Sequence, residues 1–231
     1  MDTEPSTNAI SYKVVGTPFS TFTRTITLGL HYKGIPFEQI STTPHSEVAR
    51  DAHPYGYLPT LIIEGPNGQS TKLSESQAIV RYLDRISPGP SLHFKPSAPD
   101  GQLEEKMWEV VSLIASFGFP TIEVGVIKPH LKALAEGTPE RTILQGNYNE
   151  YSKITEFLDI IDQRTVPNAK YLFGDQLTWA DFYLYPLLAD LRALPEWILA
   201  VEHRFMKWVE TMDELDAVKK TFAGTLADER S

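Results

Sequence analysis

The sequence predicts an α/β unit at the N-terminus followed by an all-helical unit at the C-terminus. Three observations carry this prediction: one proline-rich stretch divides the chain, strand and helix signals alternate before it, and helical spacing alone follows it. The chain has 231 residues, which suffices for two domains of ordinary size. We therefore expect a first domain over residues 10–86, a linker over 87–99 and a helical domain over 100–231.

The N-terminal unit alternates β-branched runs with helically spaced apolar residues. A strand at Tyr12–Val15 precedes a helix that Gly34 would end, and a second strand is expected at Pro36–Ile40. The Asn67–Gly68 pair is a strong signal for a hairpin between two further strands. Apolar spacing over residues 79–86 predicts a closing helix, so the order is β-α-β, a short helix, then β-β-α.

Helical spacing dominates the C-terminal unit. Apolar residues recur every three or four positions over residues 151–161. Thr178 and Asp181 form a start signal for another apolar helix, and Trp197–Met212 predicts one more. We expect an all-α bundle.

Composition excludes several classes of protein. Lys and Arg number 21 against 30 Asp and Glu, a net charge of −9 that argues against nucleic acid or an anionic membrane as the main partner. The absence of cysteine excludes disulfide scaffolds, thiolate metal sites and a cysteine nucleophile. Residues 1–10 show no signal-peptide pattern, and no apolar run approaches the roughly 20 residues that span a bilayer. We expect a soluble, cytoplasmic protein with no metal.

Two predicted helix starts are candidate anion sites. Ser74 and Gln77 fit a capping box, which leaves Glu75 and Ser76 in the first turn, where they could hold an amine and a carboxylate. The earlier start, residues 16–24, carries hydroxyl groups that either cap the helix or face a ligand. These hydroxyls belong to Thr17, Ser20, Thr21 and Thr23.

A Leu58–Pro59 step enters the predicted third strand. Proline at such a position can form a cis peptide, which would leave the N–H and C=O groups of Leu58 for a ligand. An ordinary trans proline at a strand start is the alternative.

In this order and spacing, the three segments resemble the glutathione transferases. Residues 16–24 look like the serine-type loop of the phi class, G-x-P-x-S-T-x-T-R, and residues 53–59 look like the family's N-P-x-G-x-V-P stretch with its cis-proline. Residues 75–79 are similar to its E-S-x-A-I segment, and residues 177–182 to its late N-capping motif. The resemblance implies a thioredoxin-like N-terminal domain, an all-α C-terminal helical domain, and a cytosolic enzyme that forms a homodimer.

The resemblance also implies roles for the matching residues. Ser20 would be the catalytic residue, donating its hydroxyl to the sulfur of glutathione so that the thiolate attacks a small hydrophobic electrophile. Leu58, just before cis-Pro59, would pair its backbone with the cysteinyl part of the tripeptide, and Pro59 belongs to the same binding stretch. Glu75 and Ser76 would hold the γ-glutamyl end. His45 is a candidate contact to the glycyl carboxylate.

Further positions complete the expected site. Tyr57 falls in the glutathione-binding stretch, and the pocket for the electrophile is expected from four aromatic residues. These are Phe19, Trp108, Phe117 and Phe119. Two residues depart from the family: His53 replaces its Asn before the proline, and Tyr57 replaces its Gln or Lys before the Val/Leu-Pro step.

The function expected is therefore that of a detoxifying glutathione transferase, with glutathione as cosubstrate. An isomerase or lyase that uses the same activated thiolate in a biosynthetic pathway is one alternative. A non-catalytic module of the same fold, binding glutathione or another ligand, is the other, and the departures at His53 and Tyr57 weigh mildly for it.

Overall fold

The structure is a computed structural model that describes residues 10–87, 89–96, 103–146, 148–201 and 203–230. The chain divides into two compact units, one ending at Pro90 and the other beginning at Ser91. Residues 88 and 97–99 of the expected linker lie outside the described residues.

The N-terminal unit has the predicted order of strands and helices. Its sheet has four strands in the order β2-β1-β3-β4, with β1 parallel to β2 and antiparallel to β3, and β3 antiparallel to β4. The elements are β1 (Ser11–Val15), α1 (Thr21–Tyr32), β2 (Glu38–Ile40), α2 (Glu47–Ala52), β3 (Thr60–Glu64), β4 (Ser70–Ser74) and α3 (Ser76–Ile86).

Turn chemistry and packing explain these boundaries. Gly34 follows α1 with φ of 66°, and Gly68 closes the predicted hairpin with φ of 71°, both left-handed conformations that glycine adopts without steric cost. Helices α1 and α3 pack together, with apolar side chains buried on both. At the end of α1, Lys33 Nζ lies 2.7 Å from Asp84 Oδ1 of α3, and both side chains are buried. Each buried charge therefore has its partner.

The C-terminal unit is helical, as predicted. A long helical stretch begins as α4 (Glu105–Leu113), continues through π-helical turns at Ile114–Gly118 and Pro120–Ile127, and ends as α5 (Lys128–Ala135). The remaining helices are α6 (Glu140–Gly146), α7 (Tyr148–Gln163), α8 (Trp179–Arg192), α9 (Glu196–Ala200), α10 (His203–Asp213), α11 (Asp216–Lys220) and α12 (Leu226–Glu229).

One helix prediction in this unit is wrong. Trp197–Met212 is not one helix, because α9 ends at Ala200 and α10 begins at His203. Val201 between them has extended backbone angles, φ −115° and ψ 127°, while the apolar spacing continues across the break.

The long stretch Glu105–Ala135 is the one helix among the described residues that is long and apolar enough to cross a membrane by length and composition. Core helices of soluble proteins have the same properties, and 44% of its most apolar window is buried within the chain. Gly118 lies in this stretch where a Cβ atom would come within 2.5 Å of the Phe157 ring, so glycine permits the close packing with α7.

Helix α8 lies in the core of this unit. Every residue from Trp179 to Leu191 is buried, as expected for a helix that is apolar around its whole circumference. Thr178 and Asp181 form the predicted capping box at its start, with both reciprocal hydrogen bonds present.

Candidate functional site

The register of the sheet brings the three candidate segments to one end of the N-terminal unit. Val15 at the end of β1 pairs with Thr60 at the start of β3, and Thr60 in turn pairs with Ser74 at the end of β4. The loop before α1, the Leu58–Pro59 step and the start of α3 each adjoin one of these paired positions.

Ser20 is the residue at which α1 begins. Its backbone is extended, its C=O accepts the first helical hydrogen bond from Arg24 at 2.9 Å, and its own N–H donates to Thr17 C=O. The half-buried side chain makes no cap hydrogen bond to the helix, although serine is a preferred capping residue. Thr21 and Thr23 are buried, whereas Thr17 and Ser20 are half-buried, and Ser20 is the one of these two at which the helix begins.

The start of α1 is also the positive end of the helix dipole. The first N–H groups of a helix have no partner within it, and the helix dipole is positive there. Arg24 follows Ser20 by four residues, which places it one turn along the same side of α1, and only 2% of its surface is exposed. The sequence motif contains Arg24, but its burial was not predicted.

The peptide bond between Leu58 and Pro59 is cis, which confirms the cis alternative over the trans one. Within the described residues, neither the N–H nor the C=O of Leu58 makes a backbone hydrogen bond. The half-buried Leu58 therefore presents a donor and an acceptor beside Thr60, the residue that pairs with Val15.

The start of α3 differs from the predicted capping box. Ser74 belongs to β4, and the helix begins at Ser76 with Glu75 as the capping residue, so Ser74 and Gln77 do not form the box. Glu75 has φ of 67° and ψ of 115°, a conformation that non-glycine residues rarely adopt. Its carboxylate makes no cap hydrogen bond and is 81% exposed.

His53 contacts this carboxylate. Its ring is buried, with Nε2 3.5 Å from Glu75 Oε1, while Nδ1 accepts a hydrogen bond of 3.0 Å from the Tyr55 N–H. The sequence marked His53 as a departure from the family pattern but indicated no contact for it.

Tyr57 lies between two histidine rings. Its ring meets His45 edge-to-face at 5.0 Å and His53 at 5.9 Å. His45 is exposed and has a positive φ of 64°, and its Nδ1 lies 3.1 Å from the Tyr55 C=O. The two departures from the family pattern thus contact each other, and His53 also contacts Glu75.

The four aromatic residues expected to line the electrophile pocket lie in different surroundings. Phe19 is half-buried next to Ser20. In the C-terminal unit, Trp108 packs edge-to-face on His93 at 5.3 Å, and Lys128 Nζ lies 5.3 Å from the centre of the Phe119 ring. Phe117 is 61% exposed.

No cluster of three or more His, Cys, Asp or Glu side chains suited to a metal ion occurs among the described residues. The groups that the N-terminal unit does bring together are a hydroxyl at a helix start, free backbone groups and a carboxylate. These groups suit a peptide-like ligand that carries an anionic centre for the hydroxyl and a cationic group for the carboxylate.

Comparison with known proteins defines the class. The family model for the glutathione S-transferase N-terminal domain matches residues 14–91. The family model for the glutathione S-transferase C-terminal domain matches residues 147–219. Glutathione S-transferase F7 of Arabidopsis thaliana is 27% identical over 90% of this chain and 97% of its own length. Glutathione S-transferase F6 of the same plant is 25% identical over 79% of this chain and 85% of its own length.

A solved structure gives the same result for the fold. Glutathione transferase F7 from Populus trichocarpa superposes with a TM-score of 0.70 at 24% identity, covering 92% of this chain and 98% of that one. The fold is therefore a thioredoxin-like domain joined to a helical domain, as the resemblance implied. The chain belongs to the glutathione transferase family, and its enzyme class is that of a transferase.

Proposed function

We propose that this protein activates the thiol of glutathione with the Ser20 hydroxyl and transfers the thiolate to small hydrophobic electrophiles. The observation that carries the proposal is that the Ser20 side chain makes no hydrogen bond to the helix it begins. A serine at a helix start ordinarily caps the helix, and here the hydroxyl makes no such bond. It remains available to donate to an anion.

The magnitudes are sufficient for this mechanism. A free thiol with a pKa near 8.5 is only about a few per cent ionised at pH 7. Lowering that pKa by about two units requires about 2.7 kcal/mol. One hydrogen bond to the charged sulfur contributes about 1.5–3 kcal/mol, and the helix dipole adds about 0.3–1 kcal/mol.

The remaining groups hold the tripeptide. The N–H and C=O of Leu58, next to Pro59, pair with the cysteinyl part. Glu75 accepts from the γ-glutamyl ammonium, and Ser76 with the first N–H groups of α3 binds the α-carboxylate. We assign the glycyl end to His45 and Tyr57, whose rings contact each other, so that aromatic rings replace the family's amide or ammonium donor.

We assign the electrophile to aromatic side chains, Phe19 in the N-terminal unit and Trp108, Phe117 and Phe119 in the C-terminal unit. Transfer to such compounds makes detoxification in the cytoplasm the biological role that fits best.

We extend the proposal to a homodimer of 26.0 kDa chains. Light scattering at micromolar concentration should then give twice the mass of one chain, and a particle of single-chain mass would contradict the dimer.

The test of the mechanism is the variant Ser20→Ala, assayed with glutathione and a generic aromatic electrophile. Loss of one charge-assisted hydrogen bond should lower kcat/KM by about ten- to 150-fold. Ser20→Thr, which keeps a hydroxyl, should recover part of the rate. Ser152→Ala is the matched control, because Ser152 is exposed on α7 and its hydroxyl donates only to the Asn149 C=O.

Two outcomes would contradict the proposal. If Ser20→Ala retains kcat/KM within about threefold of the parent protein, the hydroxyl does not activate the thiol. If the parent protein binds glutathione but converts no electrophile, the chain is a binding module and not a transferase.

A further inference from the structure

We propose that His53 is a positioning residue: its Nε2–H group orients the carboxylate of Glu75 to receive the ammonium group of the γ-glutamyl end of glutathione. The inference rests on the proposed function and names a residue that holds one of its binding groups in place. It starts from the position of His53 at the end of α2, where the ring is buried between that helix and the start of α3.

The hydrogen bond to Tyr55 fixes the tautomer of the ring. A backbone N–H group can only donate, so Nδ1, which receives the Tyr55 N–H at 3.0 Å, carries no proton. The proton of the neutral imidazole is therefore on Nε2, and this nitrogen lies 3.5 Å from Glu75 Oε1. The protonated nitrogen thus lies near a carboxylate oxygen, at a separation longer than an ordinary N–H···O hydrogen bond.

Glu75 needs such a partner because nothing in its own helix holds its side chain. It caps α3 with its backbone alone, through the C=O that accepts from Ala78 and Ile79. An exposed glutamate side chain samples several rotamers, and ordering it costs free energy on binding. Contact at Oε1 restricts those rotamers before the ligand arrives and leaves Oε2 for the ammonium group.

The competing explanation is purely structural. In that case His53 would serve only as the acceptor for the Tyr55 N–H in the turn that follows α2. The two nitrogen atoms of the ring separate the two roles, since Nδ1 serves the turn and Nε2 faces Glu75.

Two substitutions reproduce one nitrogen each. In His53→Asn the short amide can accept from Tyr55 near the Nδ1 position but does not extend to Glu75. In His53→Gln the longer amide places an N–H donor near the Nε2 position. Calorimetry on the full chain should measure Kd for two probes, glutathione and N-acetylglutathione, whose blocked amine carries no ammonium charge.

We expect His53→Asn to raise the Kd for glutathione by about three- to tenfold and His53→Gln to restore most of the affinity. The Kd for N-acetylglutathione should change by less than about twofold in both variants. In a Glu75→Gln background, His53→Asn should have no further effect, because the carboxylate is already absent. Nitrogen-15 shifts of the His53 ring should show an unprotonated Nδ1 in the ligand-free protein.

Other results would overturn the inference. Equal loss of affinity for both probes, or full affinity in His53→Asn, would assign His53 to the turn alone. A proton on Nδ1 would also contradict it. If the parent protein itself does not bind glutathione, the proposed function is wrong and the inference falls with it. If the parent protein binds glutathione and one of the results above is found, the inference alone is wrong.

Discussion

Helices α1 and α8 both begin at a hydroxyl-bearing residue with extended backbone, yet only one of the two side chains caps its helix. At α8, Thr178 accepts from the third helical residue, and Asp181 accepts in return from the Thr178 N–H at 2.9 Å. At α1, the Ser20 side chain makes no bond to the helix. The start of α8 is therefore closed by its own side chains, and the start of α1 is open.

At the closed start of α8, Asp181 makes more hydrogen bonds than the cap requires. Asp181 is fully buried and also accepts from Leu172 N–H at 2.9 Å and Trp208 Nε1 at 3.1 Å. Burial still raises the pKa of the Asp181 carboxyl, because the hydrogen bonds only partly offset the loss of water. All of these interactions are internal, so the start of α8 contributes stability. The start of α1 has no such side-chain bond from Ser20.

The largest expected effect is the loss of stability when the closed start of α8 is disrupted. Asp181→Ala leaves the Thr178, Leu172 and Trp208 donors buried without their acceptor, which should lower the free energy of unfolding by about 3–5 kcal/mol. Urea denaturation measures this loss. Asp175→Ala, at an exposed aspartate nearby, is the control and should change stability by less than about 0.5 kcal/mol. Comparable effects of the two variants would mean that the closed start is not a stabilising feature.

The second prediction concerns the loop that supports the open start. Gly16 has φ of 153°, and a Cβ atom there would lie 2.2 Å from Thr23 Oγ1. Gly16→Ala should lower the free energy of unfolding by about 2–4 kcal/mol through strain and overpacking. Gly34→Ala separates the two causes, because Gly34 has a positive φ but nothing within 4 Å, and should cost only about 1 kcal/mol. Equal thermal shifts in the two variants would argue against the clash.

A third prediction compares two serines at helix starts. Ser46 caps α2 by accepting from the Ala49 N–H at 3.1 Å, so Ser46→Ala should destabilise the protein by about 1 kcal/mol. Ser20→Ala should change the free energy of unfolding by less than about 0.5 kcal/mol, since no cap bond is lost. A loss of stability in Ser20→Ala as large as in Ser46→Ala would mean that its hydroxyl serves the helix.

The last prediction depends on pH. Glu123 is buried in the π-helical stretch, and burial raises the pKa of its carboxyl above 4.5, with Lys128 Nζ at 3.7 Å as a partial offset. A raised folded-state pKa means that Glu123 stays protonated to a higher pH in the folded protein than in the unfolded chain. The stability that this carboxyl contributes is therefore present below pH 4.5 and is lost as pH rises through its folded-state pKa.

Glu123→Gln removes this dependence. The stability of the variant relative to the parent protein should increase from pH 4.5 to pH 7, by about 1.4 kcal/mol for each unit by which the pKa is raised. Denaturation at both pH values gives the difference. An advantage that shrinks as pH rises would show that Lys128, and not burial, controls this carboxyl.

The sequence patterns that predicted the fold are those in which local chemistry determines the backbone. The Asn67–Gly68 turn, the glycine after α1 and the Thr178–Asp181 box each specify a local conformation, and the structure contains all three. The break after Ala200 was missed because apolar spacing runs on through it.

The candidate site was predictable in its segments but not in its contacts. The capping box at Ser74 was wrong because pairing with Thr60 keeps Ser74 in β4, and the chain then turns at Glu75 with a positive φ. No side-chain pattern in the sequence signals that conformation at a glutamate. The contact of His53 with Glu75 joins residues 22 positions apart, so it follows from the fold and not from local sequence.

The central claim is that the open start of α1 stabilises a thiolate, and an ultraviolet difference titration of bound glutathione tests it most directly. The titration measures the pKa of the bound thiol in the parent protein and in Ser20→Ala. The account predicts a pKa about one to two units below 8.5 in the parent protein and a return toward 8.5 in the variant. Saturable binding of glutathione with an unshifted thiol pKa, or a shift that persists in Ser20→Ala, would contradict it.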